Sequence, residues 1–134
     1  MRTRFFAFII IAVISVCFYA GCKDTITGDE VDKITIPSSN VSYGKYIQPV
    51  LNVHCTSCHG GSSTEGGVIL TTWATTTLNY NVVSPNHASN SQLVWAVEGK
   101  AGYIMPPLGS SYKSLNTNQV NGIITWINEG AKNN

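Results

Sequence analysis

Apolar positions recur at helical spacing in three stretches of the chain. Tyr43, Tyr46, Ile47, Val50 and Leu51 stand at i, i+3, i+4, i+7 and i+8, which puts them on one face of an α-helix. Ser42 can cap its first turn. Pro49 lacks the N–H that a helix interior uses, so a kink or break is expected there. Further on, Ser89-Asn90-Ser91-Gln92 has the capping-box form Ser-x-x-Gln and is followed by Leu93, Val94, Ala96 and Val97. Gly99 suits the left-handed position just past that helix. The last stripe is the clearest, with Val120, Ile123, Ile124 and Ile127 at i, i+3, i+4 and i+7. Asn116 with Gln119 predicts its cap, Leu115 with Val120 a hydrophobic staple, and Gly130 its end.

The connecting segments carry no comparable period. Gly60 to Gly67 is rich in Gly, Ser and Thr and reads as loop. Residues 68–88 read as mostly irregular, with a helical turn near Trp73. No stretch alternates with the period of a strand, so the class is all-α, with three or more helices and long loops. So little apolar core among such loops implies that something other than protein fills the centre.

The N-terminus differs in kind. Arg2 and Arg4 precede an apolar run from Phe5 to Ala20, broken only by Ser15. A basic start, a short apolar stretch and small residues after it make a secretory signal. The run ends in Tyr19-Ala20-Gly21-Cys22, which resembles a bacterial lipobox, although Tyr19 stands where Leu is usual. Residues 1–21 are therefore expected to be a lipoprotein signal peptide and Cys22 to be lipidated. Residues 22–40 are polar, mix charges with Ser, Thr, Gly and Pro, and show no period. They read as a flexible tether, and 41–134 as the folded domain. The chain is then exported to the bacterial cell envelope and held at a membrane, facing the periplasm or the exterior.

Composition narrows the possibilities further. Charged residues make up 11% of the chain, less than half of the roughly 25% of an average globular domain. Lys and Arg number 8 against 7 Asp and Glu, so no basic excess exists to neutralise phosphates and nucleic acid is not an expected partner. A chain of 134 residues is too short for separate substrate and cofactor domains.

Four cysteines occur, Cys17, Cys22, Cys55 and Cys58. Cys17 leaves with the signal peptide and Cys22 takes lipid, so Cys55 and Cys58 act together. Cys55-Thr56-Ser57-Cys58-His59 is C-x-x-C-H, the attachment motif for c-type haem. Its spacing lets two thiols add to the two vinyl groups on one porphyrin edge and brings the next His under the iron. A disulfide or thiol redox pair and a zinc site use the same C-x-x-C. Against zinc, His54, Cys55, Cys58 and His59 lie too close in sequence to close a tetrahedron, and no distant Cys pair exists. Against a thioredoxin-like pair, the βαβ context is missing. For the sixth position, Met105 in Tyr103-Ile104-Met105-Pro106-Pro107 is held by a stiff backbone, and His/Met ligation raises the potential of a cytochrome. His87 and an open position are the alternatives, and a gap-filling core Met is the bland one. His54, beside the attachment Cys, is poorly placed to reach the far face. Trp126 either covers a haem edge or belongs to the core.

These segments resemble, in order, a class I mono-haem cytochrome c domain of the planctomycete type. The resemblance runs over residues 43–131. It rests on Ile47-Gln48-Pro49-Val50-Leu51, Cys55 to Gly60, Gly66-Gly67-Val68-Ile69-Leu70 and Val83-Ser84-Pro85. Ser91-Gln92-Leu93, Val97-Glu98-Gly99, Met105-Pro106-Pro107 and Trp126-Ile127-Asn128-Glu129-Gly130-Ala131 continue it. It implies a small cytochrome c-like fold around one covalent haem c, with first and last helices crossing beside it and the Met loop over its distal face. It also implies an electron carrier rather than an enzyme, with Cys55, Cys58, His59, Met105, Pro106 and Trp126 at the haem and His59 and Met105 on the iron. Its partners would be redox proteins that dock weakly and transiently. The chain departs from mitochondrial-type carriers in lacking basic patches, so their partner preference does not carry over.

The N-terminal reading has a direct test. Cys22→Ser is expected to release the protein from membranes or leave it unprocessed, read by fractionation and intact mass. Normal processing and membrane attachment of that variant would remove the lipoprotein assignment.

Overall fold

The computed structural model describes residues 27–134. Residues 1–21, expected to be a signal peptide, and Cys22, the expected lipidation site, lie outside the described residues. Five α-helical segments follow one another, α1 Gly28–Val31, α2 Gln48–His54, α3 Trp73–Thr76, α4 Gln92–Val97 and α5 Thr117–Asn128. Short 3₁₀ turns occur at Glu65–Gly67 and Ala88–Asn90. Among the described residues there is no strand, only an isolated bridge between His59 and Thr64, as the all-α reading requires. None of the described helices is long and apolar enough to cross a membrane.

The break expected at Pro49 takes a specific form. Tyr43–Ile47 is a wider π-helical turn, capped by Ser42 Oγ accepting from Lys45 N at 3.2 Å. It runs straight into α2, whose first turn holds Pro49. Proline is tolerated there because a first-turn N–H has no intrahelical acceptor. The apolar stripe survives the change of pitch, since Tyr43, Ile47, Val50 and Leu51 are all buried.

α5 packs on this element and supplies the other half of the core through Ile123, Trp126 and Ile127, all fully buried. Its cap forms as read. Asn116 Oδ1 accepts from Gln119 N at 2.9 Å, and Gln119 Oε1 accepts from Asn116 N at 2.9 Å. The Ser89 box does not form. Helix α4 starts two residues later, with Ser91 as N-cap. The Ser91 hydroxyl accepts from Ser84 N and donates to the His87 carbonyl instead, because a buried loop offers it partners closer than its own helix. The helical turn expected near Trp73 is α3.

The largest departure concerns the tether. From Thr27 onward the stretch is docked on the domain, with Val31 and Ile36 buried. Its backbone is tied down by side chains far away in sequence. Ile36 N donates to Asn118 Oδ1 at 2.8 Å while Asn118 Nδ2 donates to the Ile36 carbonyl at 3.0 Å. The Glu129 carboxylate accepts from Asn40 N at 2.6 Å and from Val41 N at 2.8 Å. Residues 27–40 are therefore a strap rather than a free linker. Isolated apolar anchors with irregular backbone between them leave no period to detect.

Gly122 is what lets the strap lie flat. A Cβ there would sit 2.7 Å from Ile36 Cγ2 and 2.8 Å from Ile36 Cδ1. Gly122→Ala is expected to destabilise the protein by about 1 kcal/mol, since overpacking of ~1–3 kcal/mol outweighs a helix-propensity gain of ~1 kcal/mol. In an Ile36→Ala background the same change should stabilise. Denaturant unfolding of the four proteins checks the change of sign, and an unchanged sign would refute the contact.

Candidate functional site

The motif Cys55–His59 continues α2 as a tight turn. Cys55 N donates to the Leu51 carbonyl at 2.9 Å, and both Cys58 N and His59 N donate to the Cys55 carbonyl, at 3.1 and 2.8 Å. One carbonyl thus gathers the second thiol and the imidazole onto the same turn as the first thiol. Gly60 completes the turn, because any Cβ there would collide with the Thr56 carbonyl oxygen. Leu70 N donates to the His59 carbonyl at 2.8 Å and Glu65 N to the Cys58 carbonyl at 3.1 Å. These bonds fold the Gly/Ser/Thr-rich loop back against the motif.

The turn borders an apolar cleft of about 520 Å³, counting its open mouth. Cys55 and His59 line one part of it and Val68, Leu70 and Val82 continue the wall. Leu93, Ala96 and Val97 come from α4, and Tyr103 and Met105 from the following loop. The structure therefore brings His59 and Met105 to one cavity. Met105 N donates to the Ala96 carbonyl at 2.9 Å, which fixes the backbone of the thioether residue on α4.

Several polar groups here are unsatisfied or protonated in a telling way. His59 Nδ1 is buried with no hydrogen-bond partner among the described residues, a costly state for an imidazole nitrogen. Burial pushes the Cys55 thiol up to about 12, with the neighbouring Cys58 adding to the effect. A thiol of that kind stays neutral near pH 7, which does not suit a redox nucleophile. The two cysteines are free, Cys55 buried and Cys58 exposed. Among the described residues no three His, Cys, Asp or Glu side chains converge as a metal site. An imidazole, a thioether and the Cys55 thiol on an apolar cleft, with the exposed Cys58 on the same turn, are the donor set of a covalently held haem, and the residues fit that group.

Other sequence-picked residues lie elsewhere. Pro106 is buried beside Met105 but does not line the cleft. Trp126 is not at the cleft. It is fully buried, its ring 5.2 Å from that of Tyr43, and its Nε1 donates to the Lys132 carbonyl at 2.9 Å. The core role is the correct one, because the α5 stripe turns Trp126 toward the π-helical turn. His87 is exposed and away from the cleft. Tyr103 does line it, and α4 supplies wall residues that the sequence showed only as an amphipathic helix.

His54 points away from His59 and into a different cluster. Its Nδ1 lies 3.1 Å from the Lys113 carbonyl oxygen, and its Nε2 lies 3.2 Å from Asp32 Oδ1 without the alignment of a hydrogen bond.

Comparison with known proteins agrees with this geometry. Residues 55–109 match the family described as planctomycete cytochrome C. No curated protein and no solved structure matches the chain. The matched segment opens at the first attachment cysteine and runs past Met105, so it includes both residues that could face an iron. The match supports a planctomycete-type cytochrome c domain over residues 55–109.

Proposed function

We propose that the protein is an exported, membrane-anchored electron carrier with a cytochrome c-like fold, holding one haem c between His59 and Met105. The observation that carries the reading is the shared apolar cleft of Cys55, His59 and Met105. When bound, the haem supplies an iron that changes oxidation state by one electron.

The chain's own residues account for the rest. The thiols of Cys55 and Cys58 would hold the haem through its two vinyl groups as thioethers, which would keep the cofactor in an exported protein. His59 ligates from the turn that the Cys55 carbonyl gathers. Met105 ligates from a backbone tied to α4, and a thioether favours ferrous iron relative to an imidazole. With His59 and Met105 both on the iron no substrate would reach it, so this ligand pair would favour a carrier over a peroxidase or a gas-binding protein. The apolar walls keep water out and raise the potential further. Cys22 holds the protein at the envelope through lipid, where two or three acyl chains anchor stably and one does not. A redox protein docking briefly at the cleft mouth is the partner, as suits fast exchange.

Two experiments test this. Changing Cys55 or Cys58 to Ala, in a host with cytochrome c maturation, is expected to cut haem-stained holoprotein sharply. Wild-type protein with no added haem mass would defeat the proposal at its root.

Met105→His should stay six-coordinate and low-spin with a lower potential. Met105→Ala should show a high-spin fraction, bind carbon monoxide quickly and lose stability, because a bond closing a long loop is gone. Wild-type ferric protein should show the weak red charge-transfer band of thioether-ligated haem. Its absence, with rapid carbon monoxide binding to the unmutated ferrous protein, would favour an open-site protein instead.

A further inference from the structure

The loop that carries Met105 is held at its two ends and is otherwise loose. At the near end, Met105 N is bonded to the Ala96 carbonyl and Pro106 is buried. From Pro107 to Ser114 every residue is exposed. The hydrogen bonds in that stretch begin as internal ones, Ser110 N to the Pro107 carbonyl at 3.1 Å and Ser110 Oγ with Tyr112 N and its carbonyl at 3.3 Å. The first tie to the body of the protein comes at Lys113.

That tie has two parts. Lys113 Nζ lies 3.0 Å from Asp29 Oδ1 and 3.8 Å from Asp32 Oδ2. With the Lys113 and Asp29 side chains 71% and 77% exposed, these pairs hold the loop weakly. The other part is the Lys113 carbonyl, which accepts from His54 Nδ1 at 3.1 Å. A carbonyl can only accept, so Nδ1 carries the proton. This imidazole is buried, is approached on its other nitrogen by Asp32, and adjoins Cys55 in the chain. Asp32 is itself fixed by Gln119 Nε2 at 3.1 Å.

We propose that His54 is a positioning residue for the Met105 ligand. Its Nδ1–H···O bond closes the far end of the Met105 loop onto the turn that holds the haem thiols, limiting how readily the thioether swings off the iron. The proposal rests on the reading of Met105 as the sixth ligand.

The test uses full-length exported holoprotein and three variants. His54→Asn places an amide nitrogen where Nδ1 stands, His54→Gln places one where Nε2 stands, and His54→Leu places none. The readouts are the red charge-transfer band, the potential and the rate of cyanide binding to ferric protein, which requires the thioether to leave. Asn should behave as wild type. Gln and Leu should bind cyanide about two- to tenfold faster, the range set by one net hydrogen bond, with a weaker band and a lower potential. A simple packing role predicts the reverse order for the amides, since Gln fills the space better. If Leu yields no holoprotein, the Asn and Gln pair alone decides. Gln equal to wild type, or all surviving variants alike, overturns the proposal. A wild-type protein without the band overturns the Met105 assignment and this proposal together.

Discussion

The Cys55 carbonyl is the point on which the site depends. By accepting from both Cys58 N and His59 N it converts five consecutive residues into one turn. Two thiols and an imidazole then leave the backbone within a single helical pitch. The turn is possible only because α2 ends there and because Gly60 presents no Cβ to the Thr56 carbonyl. α2 in turn is held by the α5 core, where Ile123, Trp126 and Ile127 meet the π-helical turn. A disturbance in the packing of α5 would therefore be felt at the cleft although no α5 residue lines it.

The domain is organised in two regions of different character. One is a packed core of α2, α5 and the strap, closed by the indoles of Trp73 and Trp126 donating to the carbonyls of Ala131 and Lys132. The other is the cleft, walled by α4, the Val68–Leu70 segment and the Met105 loop. Its walls are apolar but face one another across open space. A bound porphyrin would bury that surface, worth roughly 25 cal/mol for each Å² removed from water. On the proposed reading, holding the cofactor and completing the fold would be one event, which would account for long loops in so small a chain.

The strap ties these regions to the N-terminal side. Asp32 receives Gln119 from α5 and faces His54 from α2, while Lys113 joins the Met105 loop to the same cluster. The sequence offered His54 only as a metal or haem ligand and Gln119 only as a cap, and did not mark Asp32 or Lys113, since scattered charged residues carry no spacing signal. One local signal was present. Thr27-Gly28-Asp29-Glu30 has the capping-box form, and Thr27 N does donate to Glu30 Oε2 at 2.8 Å. That bond holds the Glu30 carboxyl below its usual range.

What the sequence determined by itself was what rests on short-range geometry. The three amphipathic stretches, the cap of α5, the helical turn at Trp73 and the attachment motif depend on residues within one or two turns of each other. The grouping of Cys55, Cys58 and His59 on one turn was legible for the same reason. Tertiary structure alone decided which apolar residues face the core and which the cleft. It sent Trp126 inward to Tyr43, brought Met105 into the same cavity as His59, turned His54 toward Lys113, and docked a stretch that reads as solvated linker. Periodicity marks one face of a helix as apolar but does not say what covers it. Contacts between residues more than eighty positions apart, such as Ile36 with Asn118, are set only when the whole chain closes on itself.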